Sequence, residues 1–155
     1  MTASTGALRG LTLAALSLAA GCALQSSAIQ LAVGRATGFD VLSRAEGVLS
    51  RQGYTVQERR NSGSLIQLAT SWTTRSPFDD EAAQGATECR TRLLIEARRQ
   101  GSDLYAVVLR AENTALTDAA GGVWKALPPT LSFRGHIQDI SNALALEIDA
   151  GVRTR

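Results

Sequence analysis

The amino-acid sequence predicts an α+β domain in which two helices pack on one face of a four-stranded antiparallel meander, in the order α-β-β-β-β-α. Apolar residues recur at helical spacing in two segments, one early and one late in the chain, and at a spacing of two residues between them. Clusters of Gly, Ser, Asn and Asp separate the alternating segments and are typical of hairpin turns. Consecutive strands joined by hairpins favour an antiparallel sheet with its helices on one side.

The predicted helices cover residues 39–52 and about 135–151. Each has apolar residues on one side and polar residues on the other, and Gly53 follows the first helix, where a glycine is common. The apolar positions are Val41, Leu42, Ala45, Val48 and Leu49 on the first helix and Ile137, Ile140, Leu144 and Ile148 on the last. We expect both apolar stripes to face the sheet.

The predicted strands begin near Tyr54, Leu65, Cys89 and Leu104. Alternation is clearest in the third strand, which has one apolar and one charged face, as antiparallel sheets allow. Its apolar face consists of Cys89, Thr91, Leu93, Ile95 and Ala97, and its charged face of Arg90, Arg92, Glu96 and Arg98. The fourth strand is more apolar and is predicted to have less contact with solvent.

The composition indicates one folded domain and excludes several kinds of site. The chain has 155 residues, is 45% hydrophobic and carries a formal net charge of +2, without the concentrated basic excess of nucleic-acid-binding proteins. His136 is the only histidine and there is no Cys-x-x-Cys, so the ligands of a transition-metal site are lacking. There is no glycine-rich phosphate loop. We therefore predict no metal, no noncovalent cofactor and no nucleic-acid partner.

The N-terminal segment has the layout of a secretion signal. Residues 1–10 contain one arginine and no acid, and the apolar run 11–20 is shorter than the roughly 20 residues that span a bilayer. Gly21 and Cys22 follow. With Ala20 and Gly21 small before the cysteine, the segment resembles the lipobox of bacterial lipoproteins, although Ala19 stands where leucine is preferred. The resemblance covers the signal peptide alone, which we predict to be residues 1–21.

The resemblance implies a diacylglyceryl group on the Cys22 sulfur, cleavage between Gly21 and Cys22, and an N-acyl group on the new amino terminus. Two or three acyl chains make a stable anchor. The protein would be lipid-anchored in a cell membrane, facing the periplasm. Ala23 replaces the aspartate that retains many lipoproteins at the inner membrane, which favours the outer membrane. We predict a lipidated N-terminus and tether over 22–38 and one globular domain over 39–155.

The state of Cys89 depends on this assignment. If Cys22 is lipidated, Cys89 has no partner in its own chain and is predicted to be a buried free thiol, or else to form an intermolecular disulfide. The alternative is an ordinary secretory signal with an unmodified Cys22, which would allow a Cys22–Cys89 bridge.

A long loop over residues 115–134 is the first candidate binding surface. It carries Trp124, Lys125 and Phe133 after a pair of glycines, and long loops in compact domains are often functional. These side chains would form a binding lip, unless the two rings fold back to seal the edge of the sheet.

The charged face of the third strand is the second candidate. Arg90, Arg92 and Arg98 would contact anionic groups, because clustered guanidinium groups suit phosphate and carboxylate. The alternative is a solvated face on which Glu96 and acids of the neighbouring strands, Glu58 or Glu112, neutralise the arginines.

Two other sequence patterns are weaker evidence for a functional site. His136, with Asp139 three residues later, would serve as a general base for Ser132 or Ser141. No nucleophile motif accompanies it, so we expect His136 to be a surface histidine and the protein to have no enzyme activity. The adjacent carboxylates of residues 79–81 do not provide the spaced ligands of a calcium loop, so we expect a solvated acidic loop.

These observations favour a non-enzymatic envelope scaffold or accessory subunit that is held on the bilayer by its acyl anchor and binds another envelope protein. The predicted element order is similar to that of small helix-and-sheet modules in lipoprotein subunits of outer-membrane assembly machines, a likeness that carries no residues across. The alternative function is a small-ligand or lipid-binding module with a pocket between the helices and the sheet.

Overall fold

The computed structural model describes residues 28–117 and 121–153, with side chains described as far as residue 148. The predicted signal peptide, cleavage site at Gly21 and lipidation site at Cys22 lie outside the described residues. The strands are β1 (Ala28–Thr37), β2 (Val56–Asn61), β3 (Leu65–Thr70), β4 (Thr73–Arg75), β5 (Ala86–Arg99), β6 (Leu104–Thr117) and β7 (Trp124–Ala126). The helices are α1 (Gly38–Asp40), α2 (Glu46–Arg51), α3 (Asp79–Ala82) and α4 (Leu131–Arg153), and a π-helical turn, Val41–Ala45, joins α1 to α2.

In the part of the chain that the structure describes, one antiparallel sheet of seven strands organises the fold, so the prediction of a four-stranded meander is wrong. The path through the sheet is β1-β6-β5-β3-β2, with β4 paired to β5 and β7 paired to β6. The central strands β5 and β6 have 14 residues each. Strands of this length need backbone partners along both sides. Two shorter strands in line supply them on each outer side: β1 and β7 along β6, and β3 and β4 along β5.

Strand β1 comes from residues that we interpreted from the sequence as part of the tether. It runs antiparallel to β6, with Ala28 opposite Glu112 and Thr37 opposite Leu104. A bulge shifts the register between Ala32 and Gly34 and interrupts the alternation that marks a strand. The buried side chains of β1 are Ile29, Val33 and Ala36. They pack beneath α4, so these residues belong to the folded domain.

The short strand β7 lies within residues 115–134, which we predicted to be a long loop, and the short strand β4 lies where no separate strand was predicted. Each has only three residues, which is too short for a period of two to be recognised. Their pairing with β5 and β6 extends one end of the sheet. We call this end, which carries β4 and β7, the β4/β7 end.

The helices cover one face of the sheet. The predicted apolar stripes of the first helical segment and of α4 are buried there against alternate residues of β1, β3, β5 and β6. Helix α4 begins at Leu131 rather than near Gly135, because Thr130 caps it: the Phe133 N–H donates to Thr130 Oγ1 at 3.2 Å. Within the described ranges, no helix is both long and apolar enough to cross a bilayer.

The other face, which we call the open face, carries the intervening residues of the strands. The alternation predicted for residues 89–97 is confirmed, since the odd-numbered side chains are buried and the even-numbered ones partly exposed. β6 alternates in the same way. The likeness to lipoprotein subunits of outer-membrane assembly machines depended on the predicted order α-β-β-β-β-α. The observed order of helices and strands does not match it.

Candidate functional site

The open face carries rows of arginine and glutamate. The predicted arginines Arg90, Arg92 and Arg98 all lie on it, as the alternation of β5 requires. Arg92 Nη2 is 3.7 Å from Glu58 Oε1, and Arg98 Nη2 is 2.6 Å from Glu96 Oε1. These two arginines are therefore paired with acids that the sequence indicated, one on β2, which lies beyond β3, and one on β5 itself.

A shallow groove lies in the middle of the open face. It has a volume of about 280 Å³ and crosses β2, β3, β5 and β6. Its apolar lining includes Ala69 and Leu94, which are cross-strand neighbours on β3 and β5. Its charged lining residues are Glu58, Arg60, Arg92, Glu96 and Arg110. This central groove thus combines an apolar patch with charges of both signs.

Arg90 has a different environment from the other two predicted arginines. Its guanidinium lies between two indoles, 4.7 Å from the ring centre of Trp72 and 4.5 Å from that of Trp124. Its Nε donates a hydrogen bond to Thr114 Oγ1 at 3.0 Å, and it forms no ion pair with any carboxylate of the described ranges. We call Trp72, Arg90 and Trp124 the indole–guanidinium stack. The planar guanidinium suits such stacking, and each cation–π contact contributes about 0.5–2 kcal/mol.

The structure does not bring together the two rings of the predicted binding lip. Trp124 begins β7 opposite Leu116 and packs on the open face. Phe133 lies in the first turn of α4 and is fully buried on the helix-covered face, with its ring centre 5.4 Å from the Arg75 guanidinium. Lys125 is exposed. Both rings fold back against the sheet, as in the alternative prediction, but they lie on opposite faces of it.

Sequence reasoning assigned no site to Trp72, which stacks on Arg90. Trp72 follows the end of β3, and the chain pairs with β5 again only from Thr73. Trp72 and Trp124 are 52 positions apart in the chain, and both reach the Arg90 guanidinium only because the two short strands dock on the central pair. No local pattern indicates that contact.

A buried ionic network lies on the helix-covered face at the β4/β7 end. Glu81 is 0% exposed and accepts hydrogen bonds from both terminal nitrogens of Arg75, at 2.6 and 2.7 Å. Asn113 Nδ2 donates to Glu81 Oε1 at 2.7 Å, and Arg75 donates to Asn113 Oδ1 at 3.2 Å. The Phe78 N–H donates to Glu81 Oε2 at 2.9 Å. Arg75, Glu81 and Asn113 therefore satisfy one another, as buried charges require.

Two of the three adjacent carboxylates at residues 79–81 have structural roles, so the expectation of a solvated loop is wrong for them. Glu81 belongs to the buried network. Asp80 Oδ2 accepts a hydrogen bond from the Ser132 N–H at 2.9 Å, at the start of α4. This bond, with others from Thr130 and Ser132, lowers the pKa of Asp80. Acidic residues just after a proline are typical of a helix N-terminus, so the sequence carried a signal for α3 that the prediction of a loop overlooked.

His136 makes its hydrogen bond with a tyrosine and not with a serine. Its Nε2 is 3.2 Å from Tyr54 Oη, and its ring centre is 5.8 Å from that of Phe78. Burial, together with the charge of Arg75, lowers the pKa of His136. The hypothesis of a general base paired with Ser132 or Ser141 thus has no support in these contacts, and Ser141 itself is buried in α4.

Cys89 is a free cysteine and is buried on the helix-covered face. Burial, followed by the nearby charge of Glu81, raises the pKa of the Cys89 thiol to about 11. A thiol with this pKa stays protonated at neutral pH, and only the thiolate is a strong nucleophile or metal ligand. In the part of the chain that the structure describes, no three His, Cys, Asp or Glu side chains are placed to hold a metal ion.

We predict that acid destabilises the protein in two steps. The pKa of His136 is lowered on folding, so the unfolded chain takes up the proton first and stability falls as the pH drops below about 6.5. Burial alone would raise the pKa of Glu81, but its hydrogen bonds with Arg75, Phe78 and Asn113 lower it overall. A second loss therefore begins below the ordinary glutamate pKa of about 4.3.

Urea midpoints measured between pH 8 and pH 3 check this prediction. The variant His136→Gln is the matched control, since it should lose the first step and retain the second. A wild-type midpoint that stays constant down to pH 3 would contradict both assignments.

Comparison of the sequence with models of known protein families finds no match, and comparison with curated proteins finds none either.

Proposed function

We propose that this protein is a lipid-anchored lipoprotein of the bacterial envelope that acts as a non-enzymatic scaffold or accessory subunit and binds a protein partner on the open face of its sheet. The observation that carries the proposal is the asymmetry of the sheet. One face is sealed by helices, whereas the other presents the central groove to solvent. The anchor is the acylated Cys22, and the outer membrane, facing the periplasm, is the favoured location.

The central groove has the composition of a specific protein interface. Ala69 and Leu94 offer an apolar patch, and charges of both signs surround it. Such mixed charges add little affinity but select a partner with the complementary pattern and set its register. The arginines are paired with neighbouring acids, as Arg110 Nη2 is with Glu112 Oε1 at 3.2 Å, so charges of opposite sign alternate along the groove. The pattern suits a folded protein partner better than a uniformly anionic polymer.

The geometry of the reactive side chains supports a non-enzymatic role. His136 is engaged with Tyr54, and the thiol of Cys89 is buried with a raised pKa. The ligand-binding alternative needs open volume between the helices and the sheet. The facing side chains of α4, Ile137, Ile140, Leu144 and Ile148, are at most 1% exposed and pack into the core. This close packing favours the scaffold.

The anchor is tested by expressing wild-type protein and Cys22→Ser in a bacterium with a lipoprotein pathway. We expect the wild type to have the mass of residues 22–155 plus acyl groups and to sediment with membranes. The Cys22→Ser variant should lose both properties. A soluble, unacylated wild type would overturn the anchor.

The partner surface is tested in the same cells with a photoreactive residue. Gln67 lines the central groove, whereas Gln138 is exposed on α4 and provides the matched control. We expect one discrete adduct from position 67, which disappears when Arg92→Glu and Arg110→Glu reverse the charges of the groove, and none from position 138. An adduct from 138 alone would contradict the assignment of the open face, while leaving the anchor intact.

A further inference from the structure

The β4/β7 end of the sheet is also the end at which the chain enters the fold. Ala28, the first residue of β1, lies opposite Glu112, and Trp124 of β7 lies opposite Leu116 on the same side of β6. Four residues of an antiparallel strand span about 14 Å. The start of β1 therefore lies about 14 Å along β6 from Trp124, at the same end of the sheet as the indole–guanidinium stack, and the opposite end of β1 leads to Phe39.

A lipid anchor at Cys22 would hold this end close to the bilayer. Cys22 and Ala28 are six positions apart. Even a fully extended chain of that length reaches only about 20 Å. From this reach and from the side chains at the β4/β7 end, we infer that the indole–guanidinium stack docks on the lipid headgroup layer. This inference rests on the proposed lipid anchor.

The side chains at this end match the chemistry of a membrane interface. Tryptophan is enriched at the level of the headgroups, where its ring is half in the apolar region and its N–H meets water. The guanidinium of Arg90 lies between Trp72 and Trp124 and has no carboxylate partner in the described ranges. Guanidinium groups bind phosphate in a planar, two-pronged geometry. The headgroup phosphate thus supplies the anion that the described chain does not.

The residues on either side of Trp124 add exposed side chains to the β4/β7 end. Val123 is 58% exposed beside Trp124, and Lys125 is exposed. Glu88 lies across β6 from Trp124, opposite Leu116. Because this carboxylate offsets one basic charge, the contact depends on the indoles and on phosphate rather than on a strong positive field. A protein contact of this kind adds to the acyl chains as a second membrane signal.

This orientation agrees with the proposed partner surface. With the β4/β7 end on the bilayer, the strands lead away from the membrane and Phe39, which is 64% exposed, lies at the distal end. The central groove lies between these ends, at β2, β3, β5 and β6, and stays open to the periplasm.

Tryptophan fluorescence tests the inference selectively, because Trp72 and Trp124 are the two tryptophans of the chain. The acylated protein is reconstituted in vesicles of phosphatidylethanolamine and phosphatidylglycerol in which part of the lipid carries bromine near the headgroup end of its acyl chains. Bromine quenches indoles that approach the bilayer. We expect strong quenching of the wild type, and weaker quenching of Arg90→Lys, which keeps the charge but loses the planar stack.

The control places a single indole at the distal end, by combining Trp72→Phe, Trp124→Phe and Phe39→Trp in the acylated protein. We expect quenching of the wild type to exceed that of this control by at least about twofold, because only interfacial indoles contact the lipid. Equal quenching of the two proteins, both acylated and vesicle-bound, would overturn the inference and leave the lipoprotein proposal standing. A wild-type protein without acyl groups in its mass spectrum and without vesicle binding would overturn the proposed anchor itself, and the inference with it.

Discussion

Replacement of Arg75 by alanine is expected to lower the free energy of unfolding by about 3–5 kcal/mol, because it leaves a buried charge without its partner. Glu81 is 0% exposed and accepts two hydrogen bonds from Arg75, so its carboxylate would retain only Asn113 and the Phe78 N–H. The guanidinium also stacks on Phe78, 4.3 Å from its ring centre, and that packing is lost as well. Urea denaturation followed by far-ultraviolet circular dichroism measures the change.

Two comparisons make this result specific to the buried network. Arg98→Ala removes an ion pair of similar length whose arginine is 71% exposed, and its cost should be no more than about 1 kcal/mol. The double variant Arg75→Leu, Glu81→Leu removes both charges and should be more stable than Arg75→Ala, since no unpaired ion remains. If Arg75→Ala and Arg98→Ala cost the same, the network does not stabilise the fold in the way its geometry indicates.

Phe133→Ala is the second substitution with a large expected effect, again about 3–5 kcal/mol of unfolding free energy. Phe133 is fully buried between the first turn of α4 and the sheet, so its removal leaves a cavity that a rigid core fills only in part. A loss of this size would show that Phe133 is a core residue and not the binding residue that the sequence suggested.

Leu131 is the matched control for Phe133, since it lies two positions earlier in the same turn and is 86% exposed. Leu131→Ala should change the unfolding free energy by less than about 0.5 kcal/mol. Phe133 also contacts the guanidinium of Arg75, so the effects of Phe133→Ala and Arg75→Ala should not add. A Phe133→Ala protein as stable as the wild type would contradict its place in the core.

The elements with strong local patterns were predictable. The stripe of Ile137, Ile140, Leu144 and Ile148 lies within one helix, and the alternation of residues 89–97 lies within one strand. Both patterns repeat several times over neighbouring residues, so each specifies which side of its element is apolar. The cap at Thr130, by contrast, was overlooked, and the predicted start of α4 was late for that reason.

Three features were not predictable, because each depends on a partner far away in the chain. β1 carries a bulge between Ala32 and Gly34, so its alternation is interrupted, and it is recognisable as a strand only beside β6. Glu81 looks like one member of an exposed acidic run until Arg75 and Asn113 enclose it. Arg90 looks like Arg92 and Arg98 until the fold brings Trp72, just before β4, and Trp124 of β7 against its guanidinium.

The sequence by itself determined the local properties of this protein: the late helix, the amphipathic strand β5, the hairpins between consecutive strands, and a candidate lipidation site that is recognised in the linear chain. Tertiary structure alone decided the number and order of the strands, the faces on which Trp124 and Phe133 lie, and the carboxylate or ring that each arginine meets. The physical reason is that helix stripes and alternation arise from neighbouring residues. Strand order and ion pairing instead arise from contacts across tens of residues, in which backbone groups of long strands and buried charges must all find partners.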